Sequence, residues 1–282
     1  VVADGTNAAV LRNLGDPRWQ AEASPVQRSA ILARLRADLD AGAIGIGVLA
    51  GYAPGVDPAE YLAVAALAAE VGVPTYTHAR PLVELDPAVP VDGAEEIVRA
   101  AGETGAHMHY CHVNSTSARN IDRVLGLVER LRAEGGTVST EAYPYGAGST
   151  AIGATFLSPE GIAAFGLTPR SLTYLRTGER IADDDRLRRL RDEDPGGLVF
   201  LHTLDEDDPA DLAILRWSLL FADTAVASDA MPLSWTAGRP ADPLAWPLPP
   251  GAVGHPRGAG TFARALRMLA LDGGPLSLPE AI

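Results

Sequence analysis

The sequence contains no lysine, so all 23 of its basic residues are arginines. This excludes catalysis through a lysine Schiff base, and it excludes a carboxylated lysine as a bridge between metal ions within these residues. A single cysteine is present, Cys111, so no internal disulfide can form. We therefore expect a reducing compartment, and the composition favours a cytoplasmic location.

Excess positive charge and long apolar runs are also missing. The formal net charge is −13, which disfavours binding to nucleic acid or to an anionic membrane, because both need dense positive charge. No apolar run approaches the roughly 18 residues that a membrane-spanning helix needs, and the first residues do not resemble a signal peptide. With 47% hydrophobic residues in 282, the chain predicts a soluble globular protein.

Helix and strand patterns alternate about every thirty residues in the first half of the chain, which is the spacing of βαβ units. Capping residues mark three helix starts: Ser24 with Gln27, Asp57 with Glu60, and Asp92 with Glu95. The helical patterns are followed by predicted strands at 44–49, 73–78, 106–112 and 137–143. These patterns predict an α/β fold in which helices join parallel strands.

After Pro144 the alternation is less regular. It resumes with a helix at 183–191, a strand at 198–203, a helix from Asp208 and a strand at 224–229. The segment 232–257 is rich in Pro, Gly and Trp and has no period, so we interpret it as a long loop that shapes a site within one domain, 1–282.

The two ends of the sequence resemble cut ends. The first residue is not Met, and Ser277 with Glu280 forms a capping box that opens a helix just before the last residue, Ile282. We expect an internal portion of a longer protein, which contains five or six strands of a (β/α)8 TIM-like barrel and lacks its N-terminal strands.

Three of the predicted strands end in a side chain that can bind a metal ion: His78, His112 and Asp229. The carboxyl ends of parallel strands carry the chemistry of α/β folds. Imidazole is the commonest neutral metal ligand, and a catalytic zinc ion has about three protein ligands and an open position. His78 and His112 could share one ion, and Asp229 could be a ligand or the base that accepts a proton from water. The alternative is that each is a hydrogen-bonded surface residue.

His107 and His109 form a rival pair, because they alternate along one strand and share a face. Position 112 has the other parity, and the alternate face of a barrel strand packs against helices, so we interpret His107 and His109 as structural. Cys111 could be a thiolate ligand, although a small buried apolar role is favoured.

A series of short motifs runs through nearly the whole chain. They are 42–47 (GAIGIG), 52–54 (YAP), 76–80 (YTHAR), His112 after an apolar strand, 141–145 (EAYPY), 148–150 (GST), 228–229 (SD), 255–257 (HPR) and 260–262 (GTF). In this order and spacing, the series resembles the N-acyl-D-amino-acid deacylases, or D-aminoacylases, of the amidohydrolase superfamily.

The resemblance implies a metal-dependent (β/α)8 barrel of amidohydrolase type, accompanied by a small β-sandwich, that hydrolyses an amide. It implies that His78 and His112 hold zinc, as one or two ions, with the remaining ligands in the upstream segment. It also implies that Asp229 shuttles the proton. The expected substrate is a small acylated amino acid, for example of the N-acyl-D-glutamate type.

The resemblance also implies substrate contacts. Arg257, Tyr143 and Tyr52 match positions that hold the substrate carboxylate or acyl group, and the planar fork of an arginine suits a carboxylate. Asn114 stands where the deacylases often have a lysine, so a steering charge is replaced by a neutral hydrogen-bonding group. His202 is either a further substrate contact or a structural histidine.

Other interpretations stay open. Arg80 is expected to form an ion pair near the site. A cyclic-amide hydrolase or a deaminase of the same superfamily would fit the changed pocket around Asn114, and a catalytically inactive barrel that binds a partner is the non-enzymatic alternative. A homo-oligomer is compatible with the sequence.

Overall fold

A computed structural model of the chain describes residues 22–53, 55–236, 238, 242 and 245–282. Pro54 and parts of the predicted loop 232–257 lie outside the described residues. The chain divides into two compact units. The first unit is Val1–Ala142 with Leu220–Ala225, and the second unit is Tyr143–Leu219 with Val226–Ile282. One barrel domain over 1–282 stays a prediction.

The described helices include three that begin directly after the capping residues Ser24, Asp57 and Asp92. The α-helices are α1 (Pro25–Asp40), α2 (Pro58–Val71), α3 (Gly93–Thr104), α4 (Val113–Ser117), α5 (Ile121–Ala133), α6 (Pro159–Ala164), α7 (Asp184–Glu193), α8 (Pro209–Leu220), α9 (Arg257–Leu266) and α10 (Leu278–Ala281). The capping box at Ser24 is confirmed, and the carboxylates of Asp57 and Asp92 accept hydrogen bonds from the first N–H groups of α2 and α3. Gly72 ends α2 with φ 78°, a conformation that glycine adopts without steric cost.

The strands are β1 (Ile46–Val48), β2 (Thr75–Thr77), β3 (Met108–Tyr110), β4 (Val138–Ala142), β5 (Ala147–Ala151), β6 (Leu172–Tyr174), β7 (Glu179–Arg180), β8 (Leu198–His202), β9 (Thr224–Val226), β10 (Ser234–Trp235) and β11 (Ala252–Val253). One sheet has the order β1-β2-β3-β4-β9. Strands β1 to β4 are parallel, with Ile46 opposite Thr75 and Thr75 opposite Met108. The α/β class with a parallel sheet is confirmed, and the closed barrel stays a prediction.

One face of this sheet packs against helices. Thr75, Met108 and Tyr110 are almost completely buried, and the hydroxyls of Tyr61 in α2 and Thr77 in β2 lie 2.9 Å apart. Successive side chains of a strand point to opposite faces. His109, which alternates with Met108 and Tyr110, therefore lies on the other face of the sheet. The expectation that His109 faces the helices is wrong.

The core of the first unit is apolar and close-packed. Its first cluster consists of Leu39, Ile46, Val64, Leu67 and Ala68, which come from α1, β1 and α2. Burial of such side chains contributes roughly 1.5–3 kcal/mol each for the larger ones, so the helix layer fixes the strands whose ends carry the candidate site.

The second unit contains an antiparallel sheet with the order β5-β8-β6-β7. Strand β8 pairs antiparallel with both β5 and β6, so the predicted strand 198–203 does not continue the parallel pattern. Only 143–146 separate β4 from β5, and a parallel neighbour needs a crossover of about a dozen residues or more. The chain therefore leaves the parallel sheet there.

The predicted loop 232–257 contains a short antiparallel ribbon, since Ser234 pairs with Val253 and Trp235 with Ala252. Among the described residues, no helix is long and apolar enough to span a membrane.

Candidate functional site

The ends of β2 and β3 bring two imidazoles of the first unit together. His78 follows β2 directly, and His112 follows β3 after Cys111. Nδ1 of His78 lies 2.9 Å from Nε2 of His112, and the ring centroids are 4.6 Å apart. The two histidines that the sequence singles out are thus neighbours.

His112 reaches this position through an unusual backbone conformation. In an extended strand it would point to the same face as Tyr110, toward the helices. Its φ is 34°, a left-handed value that is uncommon for residues other than glycine. We infer that this turn directs the imidazole to His78.

The contacts of Ser115 favour one tautomer of His112. The Ser115 hydroxyl lies 3.0 Å from the His112 carbonyl oxygen, to which it can only donate, and 3.0 Å from His112 Nδ1. When its hydrogen is used on the carbonyl, the hydroxyl accepts from Nδ1–H. Nε2 of His112 then keeps its lone pair, and that lone pair faces His78. A hydrogen bond of this kind orients metal-binding histidines in proteins.

The donor set fits a metal ion. Zn–N bonds are about 2.0–2.1 Å long, so two nitrogens of a tetrahedral zinc site lie about 3.3 Å apart. The 2.9 Å separation of the two ring nitrogens is close to this value. His78 and His112 are therefore suited to share one divalent ion, with His78 in the tautomer whose Nδ1 is unprotonated.

Gly51 and Tyr52 hold the His78 ring from the other side. The ring centroids of Tyr52 and His78 are 4.5 Å apart, and Tyr52 is buried. A Cβ on residue 51 would clash with Cδ2 of His78 and with the carbonyl oxygen of Ala79. Only glycine permits this approach, which fixes the imidazole. Tyr52 as a substrate contact stays a prediction.

Arg80 forms the ion pair that the sequence suggests. Its side chain is 0% exposed, and its Nε lies 2.7 Å from Glu96 Oε2. Nη2 donates to the carbonyl oxygen of Val56 at 2.7 Å. Burial raises the pKa of Glu96, and the hydrogen bond from Arg80 offsets this only in part. Asn114 lies in α4 and is buried.

A second group of ligand atoms lies in the first unit. Within the described ranges, a nitrogen of His109, the sulfur of Cys111 and a carboxylate oxygen of Glu141 all lie within 4.8 Å of one another. Burial alone would raise the pKa of Glu141, but a hydrogen bond from His109 and the proximity of His112 hold it below the ordinary value.

Sequence reasoning missed Glu141 and its neighbour Ser139. Ser139 and Glu141 alternate along β4, and His109 and Cys111 alternate along the neighbouring strand and its end. Two features of the sequence could have indicated this group. The polar residues alternate in the same way along two neighbouring strands, and a carboxylate lies near the end of one of them.

The second unit brings Asp229, Arg257 and Tyr143 together. Asp229 Oδ2 lies 2.8 Å from Nη2 of Arg257, whose side chain is 1% exposed. The guanidinium carbon lies 4.6 Å from the centroid of the Tyr143 ring, and Nη2 also donates to the carbonyl oxygen of Ser149 at 3.0 Å. Asp229 has φ 45°, a left-handed conformation like that of His112.

The guanidinium of Arg257 has donors to spare. Its Nε and Nη1 are buried and have no hydrogen-bond partner among the described residues, and neither has the hydroxyl of Ser149. A buried donor without a partner costs about 1–3 kcal/mol. This arrangement suits an anionic or carbonyl-containing ligand.

His202 and His255 lie in the second unit. His202 Nε2 is 3.1 Å from the Thr173 hydroxyl, across the pair β6–β8, and burial followed by the charge of Arg180 lowers its pKa. His255 packs edge-on against Phe200, with centroids 4.8 Å apart. Burial, then the charge of Arg257, lowers the pKa of His255 to about 4. His202 as a substrate contact stays a prediction.

No model of a known protein family matches the chain, and no curated protein matches it in sequence. Solved structures do match. A crystal structure of D-aminoacylase has a TM-score of 0.65 and 23% identity, and covers 98% of this chain and 53% of that one. The fold is that of D-aminoacylase. A second D-aminoacylase structure, concerned with the binuclear metal centre of that enzyme, gives a TM-score of 0.66 at 22% identity with the same coverage.

An N-acyl-D-glutamate deacylase from Bordetella bronchiseptica shares the D-aminoacylase fold. That structure holds zinc and a phosphonate inhibitor that mimics the tetrahedral intermediate of its reaction. Its TM-score is 0.65 at 22% identity, over 93% of this chain and 51% of that one. The present chain spans about half the length of these D-aminoacylase-like structures.

Proposed function

We propose that the chain is part of a metal-dependent amidohydrolase with a (β/α)8 barrel, and that it removes the acyl group from an N-acyl-D-amino acid. The observation that carries the proposal is the facing pair of ring nitrogens of His78 and His112, 2.9 Å apart at the ends of adjacent parallel strands. The D-aminoacylase fold supports it. So does the zinc-containing N-acyl-D-glutamate deacylase, which makes an acidic side chain on the substrate our first choice.

His78 and His112 would hold the metal, which we propose is zinc. Once bound, such an ion lowers the pKa of water and polarises a carbonyl group. Ser115 keeps Nε2 of His112 available as a ligand, and Tyr52 with Gly51 fixes the ring of His78.

Asp229 would accept a proton from the attacking water and return it to the leaving nitrogen. Its carboxylate is 22% exposed and keeps one oxygen on Arg257, so the ion pair orients the group. Carboxylates positioned for such transfer contribute typically about 10²–10⁴-fold to rate.

Arg257 and Tyr143 would bind the carboxylate of the substrate. The guanidinium has two buried nitrogens without a partner among the described residues, and a planar fork pairs with a carboxylate in bidentate fashion. Tyr52, Asn114 and His202 are further proposed contacts of the substrate.

The first experiment is elemental analysis of the full-length protein beside a His78→Ala, His112→Ala double variant. We expect zinc near one or two equivalents in the parent and a loss of at least one equivalent in the double variant. His202→Ala is the control, because it removes an imidazole that bonds Thr173, and it should keep the metal content of the parent. Metal-free parent protein would remove the basis of the proposal.

A substrate panel then tests the reaction. N-acyl-D-amino acids with acidic, neutral and basic side chains are compared with their L-enantiomers, with lactams and with hydantoins. We expect release of a free D-amino acid with the acidic member fastest. Hydrolysis of a lactam or hydantoin instead would assign the chain to the cyclic-amide hydrolases.

A further inference from the structure

The group formed by His109, Cys111 and Glu141 does not belong to the histidine pair described above. His109 and Cys111 come from β3 and its end, and Glu141 comes from the adjacent β4. The imidazole is 12% exposed and the carboxylate 21% exposed. An imidazole nitrogen, a thiol sulfur and a carboxylate oxygen thus lie within 4.8 Å of one another in a largely buried place.

The contacts of His112 show that the two groups are separate. Its Nε2 faces His78 and its Nδ1 faces Ser115, so both ring nitrogens are used there. The hydrogen bond between the groups is a backbone contact, in which the N–H of His112 donates to Glu141 Oε1 at 3.3 Å. The other oxygen of Glu141 points to His109.

A serine orients His109 in the way that a second hydrogen bond orients known metal ligands. Ser139 Oγ lies 2.7 Å from Nδ1 of His109 and 2.8 Å from Nε2 of His107. If Ser139 donates to His107, it accepts from Nδ1–H of His109. Nε2 of His109 then has a lone pair. The ring is also packed against Tyr76, with centroids 5.1 Å apart.

In that tautomer a cation is required between His109 and Glu141. Nε2 of His109 lies 3.1 Å from Glu141 Oε2, and a lone pair that faces a carboxylate oxygen at this distance is repulsive. When Ser139 donates to His109 instead, Nε2 carries a proton and donates it to Glu141. When Ser139 donates to His107, a divalent ion between Nε2 and Glu141 removes the repulsion, and the sulfur of Cys111 supplies a third ligand.

We propose that His109, Cys111 and Glu141 form a metal site for zinc or a similar thiophilic divalent ion, separate from the His78–His112 pair. Thiolate, imidazole and carboxylate are the three ligand types of zinc in proteins. In a tetrahedral site these atoms lie roughly 3.3–3.7 Å apart. Nε2 of His109 and Oε2 of Glu141 are already 3.1 Å apart, so the adjustment is an approach of the Cys111 sulfur by at most about 1 Å. Binding deprotonates Cys111 and releases one proton. The site does not rest on the proposed hydrolysis.

Cobalt is the probe, because a bond between Co²⁺ and a thiolate gives a charge-transfer band in the near ultraviolet. The metal-stripped protein is titrated with Co²⁺ in four forms: parent, Cys111→Ser, the His78→Ala, His112→Ala double variant, and Glu141→Gln. We expect the band in the parent and in the double variant, its loss in Cys111→Ser, and its appearance only at higher Co²⁺ in Glu141→Gln. Zinc should abolish the band by displacement.

Three results would overturn the proposal. A parent without the band, or a Cys111→Ser variant that keeps it, would show that Cys111 is not a ligand. Loss of the band in the double variant would show that the thiolate serves the ion of the histidine pair. Circular dichroism of each variant verifies that it is folded. Since no substrate is used, failure of the proposed hydrolysis would leave these results unchanged.

Ser139→Ala tests the orientation of His109. Loss of a hydrogen bond to a metal-ligating histidine typically weakens metal binding about 10-fold to 100-fold, and we expect a change of that size in the Kd for Co²⁺. Ser29→Ala is the control, because the Ser29 hydroxyl donates to the carbonyl of Pro25 in an exposed turn of α1. An unchanged Kd in Ser139→Ala would contradict the assigned role.

Discussion

Within the described residues, each unit has one arginine whose side chain is almost completely buried, and the two differ in what their nitrogens bind. Arg80 of the first unit is 0% exposed, with Nε on Glu96 and Nη2 on the Val56 carbonyl. Arg257 of the second unit is 1% exposed, but its Nε and Nη1 have no partner among the described residues. The two arginines are therefore equally buried but differ in how many of their donors are satisfied, and this difference is why we propose a ligand for Arg257 and a structural role for Arg80.

The candidate site residues of the two units also differ in the kind of ligand that their polar atoms suit. The first unit presents ring nitrogens that face another nitrogen or a carboxylate, as in His78 with His112 and His109 with Glu141. Each of these contacts can be satisfied by a ring N–H or, when the ring nitrogen carries a lone pair, by a metal ion. The second unit contains the guanidinium of Arg257, whose two buried nitrogens without a partner among the described residues suit an anionic ligand. Metal binding and recognition of a charged substrate should therefore be separable by mutation.

The largest expected effect concerns Asp229. Asp229→Asn removes the proposed proton acceptor, and we expect kcat to fall by about 10²–10⁴-fold with the metal content unchanged. Asp223→Asn is the matched control, because Asp223 also has a positive φ of 60° but is 86% exposed. Turnover close to that of the parent would exclude Asp229 as the base. Loss of metal would contradict the expectation that a mutation in the second unit leaves metal binding unchanged.

The next effect tests the structural role of Arg80. Glu96→Ala leaves the buried charge of Arg80 without its partner, which costs about 3–5 kcal/mol of unfolding free energy. Glu103→Ala, in the same helix, removes an exposed partner of Arg99 at 2.6 Å and should cost at most about 1 kcal/mol. Urea unfolding measures both. Equal losses of unfolding free energy would show that the Arg80–Glu96 pair stabilises the fold no more than a surface ion pair does.

The regular part of the fold could be predicted because its signals are local. Capping residues such as Ser24 and Asp57 and left-handed glycines such as Gly72 place helix ends within the sequence itself. The antiparallel pairing of β8 with β5 could not be predicted, because it joins residues about fifty positions apart and Leu198–His202 carries no mark of its partner.

The candidate site could be predicted only as separate residues. His78, His112 and Asp229 were singled out by type and position, and Arg257 only by the resemblance to the N-acyl-D-amino-acid deacylases. The ion pair of Asp229 with Arg257 depends on how loops pack. The positive φ of His112 overrides strand parity, which is why His109 was expected on the wrong face. Neither a single φ value nor a loop contact is encoded in periodicity.

A smaller effect is expected when the fork of Arg257 is lost and its charge is kept. Arg257→Lys removes bidentate geometry, and hydrogen bonds to charged groups contribute about 1.5–3 kcal/mol. The preference for an N-acyl-D-amino acid over its carboxamide, as a ratio of kcat/KM values, should fall about 10-fold to 100-fold. If the substitution also disturbs Asp229, it slows both substrates alike, and this common effect cancels in the ratio. An unchanged ratio would mean that Arg257 resembles Arg80 and is structural.

The smallest effect is a pH dependence in the second unit. The pKa of His255 is about 4 in the folded chain and about 6.5 when unfolded. Because the folded value is depressed, its contribution to stability is complete above about pH 6.5 and is lost as the pH falls toward 4. Between pH 7 and pH 4.5 the loss should be on the order of 2 kcal/mol.

His255→Phe is the variant that isolates this effect, since a phenyl ring keeps the packing against Phe200 and Tyr145 and does not titrate. It also removes the Nδ1 acceptor of the Arg257 N–H, so its absolute stability is lower and the slope between pH 7 and pH 4.5 is the quantity to compare. Urea unfolding across this range should give a shallower decline in the variant. Parallel declines would mean that water or a neighbouring carboxylate, and not the buried neutral imidazole beside Arg257, sets the acid stability of this unit.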